Sequence, residues 1–142
     1  MKKLVYSPDY RDKIIRLKNE LDLKYGQPVR KKVLSEINHH IHLLKAHNFL
    51  GISLRDMYGI DCDYYYLYIS PNLVFYEVEQ DSINILNIYH EREDYIIKFL
   101  GSVSKLHEGI QYPKGHLSFS FLTSGKNGVK SPPEYFEGGE PL

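Results

Sequence analysis

Three features of the sequence predict an α+β fold, with an N-terminal strand and a helical hairpin packed on an antiparallel sheet. Apolar residues recur every three or four positions up to about residue 46, then every second position from Ile52. Turn signatures cut that second stretch into short strands. Aromatic residues make up 13% of the chain, and Tyr58, Tyr64, Tyr65, Tyr66 and Tyr68 are clustered where a half-buried sheet would use them.

Leu4-Val5-Tyr6 is a brief first strand. Ser7-Pro8-Asp9 then opens a helix: Ser7 can cap the free amides, Pro8 suits the first helical position and Asp9 complements the positive end. Tyr10, Ile14, Leu17 and Leu21 form one face, and Gly26 is placed to end the helix in a left-handed turn. A second helix starts at Gln27-Pro28, carries Val33, Ile37, Ile41 and Leu44 on one stripe, and lasts to about Ala46. So short a connection makes the two helices antiparallel, and their stripes need a further layer to cover them.

From Ile52 the expected elements are strands. Ile52, Leu54 and Asp56 alternate with Ser53, Arg55 and Met57; Tyr64–Ile69, Leu73–Glu79 and Ile83–Tyr89 follow, separated by Ser70-Pro71-Asn72 and Gln80-Asp81-Ser82. In the last strand, Ile83, Ile85 and Asn87 fall on one side and Asn84, Leu86 and Ile88 on the other. Glu91–Leu100 returns to helical spacing and Gly101 is expected to stop it. The predicted order is β-α-α-β-β-β-β-α over residues 1–101. Residues 102–142 are a Gly/Pro-rich extension, expected to be partly disordered, with strand-like alternation only around Leu117–Leu122.

A chain of 142 residues fits one domain and can bury a core without staples. One cysteine excludes an internal disulfide and a Cys-rich zinc site. No apolar run is long enough for a membrane span, and Ser7, Pro8 and Asp9 interrupt any leader, so a cytoplasmic protein is expected. The net charge is zero, yet residues 1–45 carry +6 and residues 46–101 carry −6. A balanced total argues against a strong nonspecific nucleic-acid binder.

Several residues invite a chemical role. His39 and His42 share a helix face, but no matching ligand pair follows, and histidines also suit a helix C-terminus. Cys62 lies between Asp61 and Asp63, which raise a thiol's pKa and blunt its reactivity. No metal or cofactor is expected. Arg11, Lys13, Arg16, Lys18 and Arg30-Lys31-Lys32 make the hairpin basic, which fits either a solvated surface or an acidic partner. The run His90-Glu91-Arg92-Glu93-Asp94-Tyr95 joins the last strand to the final helix. His90 can move a proton near pH 7 and Arg92 can hold a phosphate; both also have ready structural roles.

The order of elements, Tyr6-Ser7-Pro8, Tyr25-Gly26, Ile83–Tyr89 and the His90–Tyr95 motif closing at Gly101 together resemble the RelE/ParE toxin superfamily, the toxins of bacterial type II toxin–antitoxin modules, also known as plasmid stabilisation proteins. The resemblance covers residues 2–101. It implies a toxin held inactive by a cognate antitoxin, which folds around its helices or sheet, and growth arrest when the toxin is free. One branch acts as an mRNA interferase, cutting messenger RNA on the ribosome; the other poisons DNA gyrase. On the nuclease reading, the resemblance implies Arg55 and Arg92 as phosphate holders, His90 as acid or base, and Tyr95 as a platform for a base. The acidic sheet half opposes that reading. A non-toxic relative serving only as an interaction module is the rival, and a Tyr-rich sheet offers a homodimer surface.

Overall fold

The computed structural model describes residues 1–108, which form β1 (Lys3–Tyr6), α1 (Pro8–Tyr25), α2 (Gln27–Leu43), β2 (Ile52–Ser53), α3 (Leu54–Tyr58), β3 (Tyr64–Ile69), β4 (Asn72–Val78), β5 (Ser82–His90) and α4 (Tyr95–Glu108). The expected strand at Leu117–Leu122 and most of the expected extension lie outside the described residues.

Ser7 caps α1 as its type and position predict. Its Oγ accepts from the Tyr10 amide at 3.0 Å and donates to the Leu86 carbonyl at 2.6 Å, so one hydroxyl starts the helix and ties it to β5. Gly26 ends α1 at φ 91° and ψ 170°, a positive-φ conformation other than the expected left-handed one, with its amide bonded to Leu21 and Asp22 carbonyls. That single residue is both the end of α1 and the start of α2. Arg30 then reaches back to Asp22 at 2.7 Å across the hairpin.

The sheet runs β1-β5-β4-β3-β2. The meander β2 to β5 is antiparallel as expected, whereas β1 lies parallel to β5, with Leu4 opposite Ile83 and Tyr6 opposite Ile85. The helical hairpin is the connection that carries the chain from β1 to the far edge. Since β1 ends opposite Ile85, the C-terminal part of β5 has no strand on that side; α1 runs there instead.

Two expectations are corrected. The strand expected from Ile52 to Met57 has only two residues, and Leu54–Tyr58 is a helical turn. Ser53 Oγ accepts from the Asp56 amide, Asp56 sits in the first turn, and Gly59 closes the turn at φ 70° and ψ 23°. These local caps outweigh a three-residue alternation. Secondly, Gly101 does not stop the last helix, which starts at Tyr95 and continues to Glu108. Val103, 3% exposed, extends the buried stripe of Ile96, Phe99 and Leu100 past it.

β5 also departs from strict alternation. Phe75 pairs with Asn87 but Tyr76 pairs with Ile85, so Leu86 is an extra residue on β5. The bulge puts Ile83 and Ile85 on the same sheet face as Ile88 and His90. Asn87, 3% exposed, accepts from the Ile88 amide beside the bulge. On the opposite face, Tyr66 pairs with Phe75, and Phe75 stacks on Phe99 of α4 with ring centroids 4.3 Å apart. The hairpin and α4 therefore sandwich the sheet, with Ile14, Ile37 and Ile41 buried under the hairpin and Tyr95 and Phe99 buried under α4.

Candidate functional site

The end of β5 is where the chain turns into α4, and the turn is closed by its own hydrogen bonds. The Glu93 amide donates to the His90 carbonyl at 2.9 Å, and the His90 amide donates to Glu93 Oε2 at 2.8 Å. The Arg92 amide donates to His90 Nδ1 at 3.1 Å, so that ring nitrogen is used as an acceptor within the turn. Lys98 holds the other oxygen of Glu93 at 3.0 Å. Burial alone would raise the Glu93 carboxyl; the His90 amide, Lys98 and Lys13 outweigh it and hold the group below its ordinary value. Nearby, Tyr68 donates to Glu91 at 3.0 Å.

Between this turn and α1 lies a cleft of about 270 Å³, lined by Lys13, Arg16, Tyr89, His90 and Glu93 among others. Lys13 Nζ donates to the Ile88 carbonyl at 3.2 Å and sits 3.6 Å from the centroid of the Tyr89 ring. It thereby fills the edge of β5 that β1 leaves uncovered. Burial pushes the Lys13 ammonium down to about 8, despite the attraction of Glu93 and Asp9. In the sequence Lys13 and Arg16 read as part of a basic hairpin face, open either to solvent or to an acidic partner. The signal for Lys13 is its spacing, three residues after Tyr10 and four before Leu17, on the apolar stripe rather than opposite it.

Continuing from the cleft is an apolar groove of about 350 Å³ between the hairpin and the β3–β4 turn, lined by Leu17, Leu21, Tyr25, Val29, Val33 and Pro71. His90 and Asn72 border both cavities. At the hairpin tip Tyr25, which lines this groove, is 62% exposed.

The four residues singled out in the sequence do not converge. His90 and Arg92 share the turn, and Arg92 is exposed. Tyr95 is 1% exposed, packed on Phe75 with its hydroxyl against that of Tyr58, so no face of its ring is open to a base. Arg55 belongs to α3, next to Ser53, which pairs with Tyr65 at the start of β3; His90 pairs with Asn72, opposite Ile69 at the end of β3. The two ends of the sheet separate them. Arg55 is held by Asp61 at 2.7 Å and Asp63 at 3.2 Å, which raise its pKa further.

Other candidates take structural places. Cys62 is 3% exposed and burial pushes its thiol up to about 11, the direction of an inert core cysteine. His40 and His42 bond the backbone carbonyls of Glu36 and Asn38 through Nδ1. Among the described residues no group of three His, Cys, Asp or Glu is placed to hold a metal ion, and no helix is long and apolar enough to cross a membrane.

Comparison with known proteins follows the same geometry. None of the curated proteins matches this chain. Among solved structures, a chain of the chromosomal ParDE toxin–antitoxin system from P. aeruginosa shares the fold, with a TM-score of 0.52 at 16% identity, over 63% of this chain and 96% of that one. The family model described as the ParE toxin of the type II toxin–antitoxin system parDE matches residues 4–95, from β1 to the first residue of α4. The chain is therefore a member of the ParE toxin family of type II toxin–antitoxin systems.

Proposed function

We propose that this toxin arrests growth when free by engaging DNA gyrase, without cutting messenger RNA itself, and that a cognate antitoxin silences it by occupying the hairpin groove. The observation that carries the choice of target is the dispersal of the expected nuclease residues. A ribonuclease site must hold an acid or base, a phosphate clamp and a positioned base within contact of one scissile phosphate. Here Arg55 is at the far end of the sheet, paired with two aspartates, and Tyr95 is sealed under α4. The −6 charge of residues 46–101 also suits a ribosomal RNA surface poorly. Family membership in the ParE branch supports the same target.

The antitoxin reading rests on the apolar groove and its exposed rim. An amphipathic helix laid along Leu21, Tyr25, Val29 and Val33 would bury surface that is otherwise wet, and the basic hairpin favours an acidic partner segment. One observation favours the rival cleavage reading: His90 and Arg92 share a turn beside Lys13 and Arg16.

Inducible expression in a bacterial host without the antitoxin separates these readings. Growth arrest that survives His90→Ala and Arg92→Ala is the expected result. Arrest abolished by either substitution in a folded protein would support cleavage. No arrest by the intact chain would support the non-toxic interaction module.

A further inference from the structure

A further cleft, of about 400 Å³, opens between the start of β1 and the C-terminal end of α2. Lys2, Lys3 and Lys45 line it, with His42 and Tyr6. Among the described residues no Asp or Glu does so, whereas the cleft beside Lys13 sets Glu20 and Glu93 against its two cations. Asp81 is adjacent in the sheet, where its carbonyl accepts from the Lys3 amide, but it is not part of the lining. Lys2 Nζ donates to the Gln80 carbonyl in the β4–β5 turn, which fixes the stem and leaves two of the three ammonium donors for another acceptor. The Asn38 carbonyl holds the His42 ring through Nδ1, and Tyr6 stacks on Tyr10 as an apolar floor. Lys3 pairs with Ser82 at the first residue of β5, and His90 at its last residue borders the apolar groove, so roughly 26 Å of strand separates the two. A partner in the groove leaves the basic cleft open.

We propose that this cleft seats the phosphate backbone of duplex DNA. The choice of DNA over other polyanions rests on the gyrase target proposed above, because gyrase holds a duplex. A chain of zero net charge has no overall field to draw in nucleic acid, so the contact must be local. Three lysines displace about three counterions, which gives weak, salt-sensitive binding with a dissociation constant on the order of 0.1 mM at 20 mM salt. That affinity is too low to find DNA unaided in a cell. It suffices once the target holds the toxin beside a duplex, where the effective concentration is on the order of millimolar. The cleft is therefore an auxiliary contact to the DNA of the target complex.

The test titrates the full chain, without gyrase, into a fluorescent 20-base-pair duplex and follows anisotropy from 20 to 80 mM salt. Affinity is expected to fall about 40-fold over that range. Lys45→Gln should weaken binding about tenfold at 20 mM salt and lower the slope against log salt by about 1. Lys31→Gln and Lys32→Gln remove the same charge from exposed positions roughly 20 Å away along α2, and should each change affinity less than twofold. No binding at 1 mM protein overturns the proposal, as does an equal loss from Lys31→Gln and Lys45→Gln. Polyglutamate that displaces the duplex as well as unlabelled DNA does, at the same charge concentration, overturns DNA in favour of an acidic protein segment. A supercoiling reaction with the same preparation separates this inference from the gyrase reading. Inhibited gyrase with no duplex binding sinks the cleft alone; duplex binding lost in Lys45→Gln, with gyrase unaffected, upholds the cleft and sinks the target.

Discussion

Gly51 shows how closely one position can be determined. Its amide donates to the Tyr76 hydroxyl at 2.9 Å, and a Cβ there would lie 2.6 Å from the Tyr66 carbonyl oxygen and 2.7 Å from that hydroxyl. A backbone carbonyl in a central strand cannot step aside, so Gly51→Ala should destabilise the protein by about 1–3 kcal/mol in urea unfolding. Lys13 has a different signature. Its folded-state pKa, about 8, lies below the ordinary lysine value of 10.5, so between those values the unfolded chain binds more protons and stability gains with pH. Measured against Lys13→Met, the wild type should gain relative stability as pH rises from about 8 towards 10, and none between pH 6 and 7. Neither residue is found by its type alone. Gly51 is decided by a strand that comes fifteen residues later, whereas Lys13 betrays itself by standing on an apolar stripe.

The elements were legible in proportion to how local their causes are. Ser7, Pro8 and Asp9 start α1 where the sequence puts them because a cap needs only its own first turn. Ser7→Ala removes both the Tyr10 amide's acceptor and the donor to Leu86, and should cost about 1–2 kcal/mol in thermal or urea unfolding. The short helix α3 was equally readable, from Ser53, Asp56 and Gly59, but its alternating Ile52-Leu54-Asp56 pattern competes for the same residues. The bulge at Leu86 was not readable, since an extra residue is defined only against the partner strand. Gly101 misleads for a related reason. Glycine is common beyond helix ends, but here the stripe continues through Val103 and the core holds the helix together. A Cβ at Gly101 would meet nothing within 4 Å, so Gly101→Ala should stabilise the protein by about 0.5–1 kcal/mol.

At the scale of the molecule, the sheet holds two groups of charged side chains at its opposite ends. One end of the sheet carries Arg55 with Asp61 and Asp63; the other carries His90, Glu93 and Lys13 beside the apolar groove. The candidate site was half visible in the sequence. His90 and Arg92 are neighbours in the chain and remain so, while Arg55 and Tyr95 were joined to them by family resemblance, and the register and the burial under α4 take them elsewhere. The groove is a product of the hairpin's position on the sheet and has no linear motif. Tyr25 is 62% exposed, so Tyr25→Ser should leave unfolding curves nearly unchanged. On the antitoxin reading, it should weaken antitoxin binding by at least tenfold in calorimetry, because Tyr25 lines the groove.

The most direct test of the proposed target is a gyrase reaction and a cell-free translation reaction run with the same preparation of the full chain. Loss of supercoiling, or trapped cleaved DNA, alongside end-labelled message that stays intact on ribosomes is the predicted result. Message cut only in the presence of ribosomes, with gyrase unaffected, would contradict it.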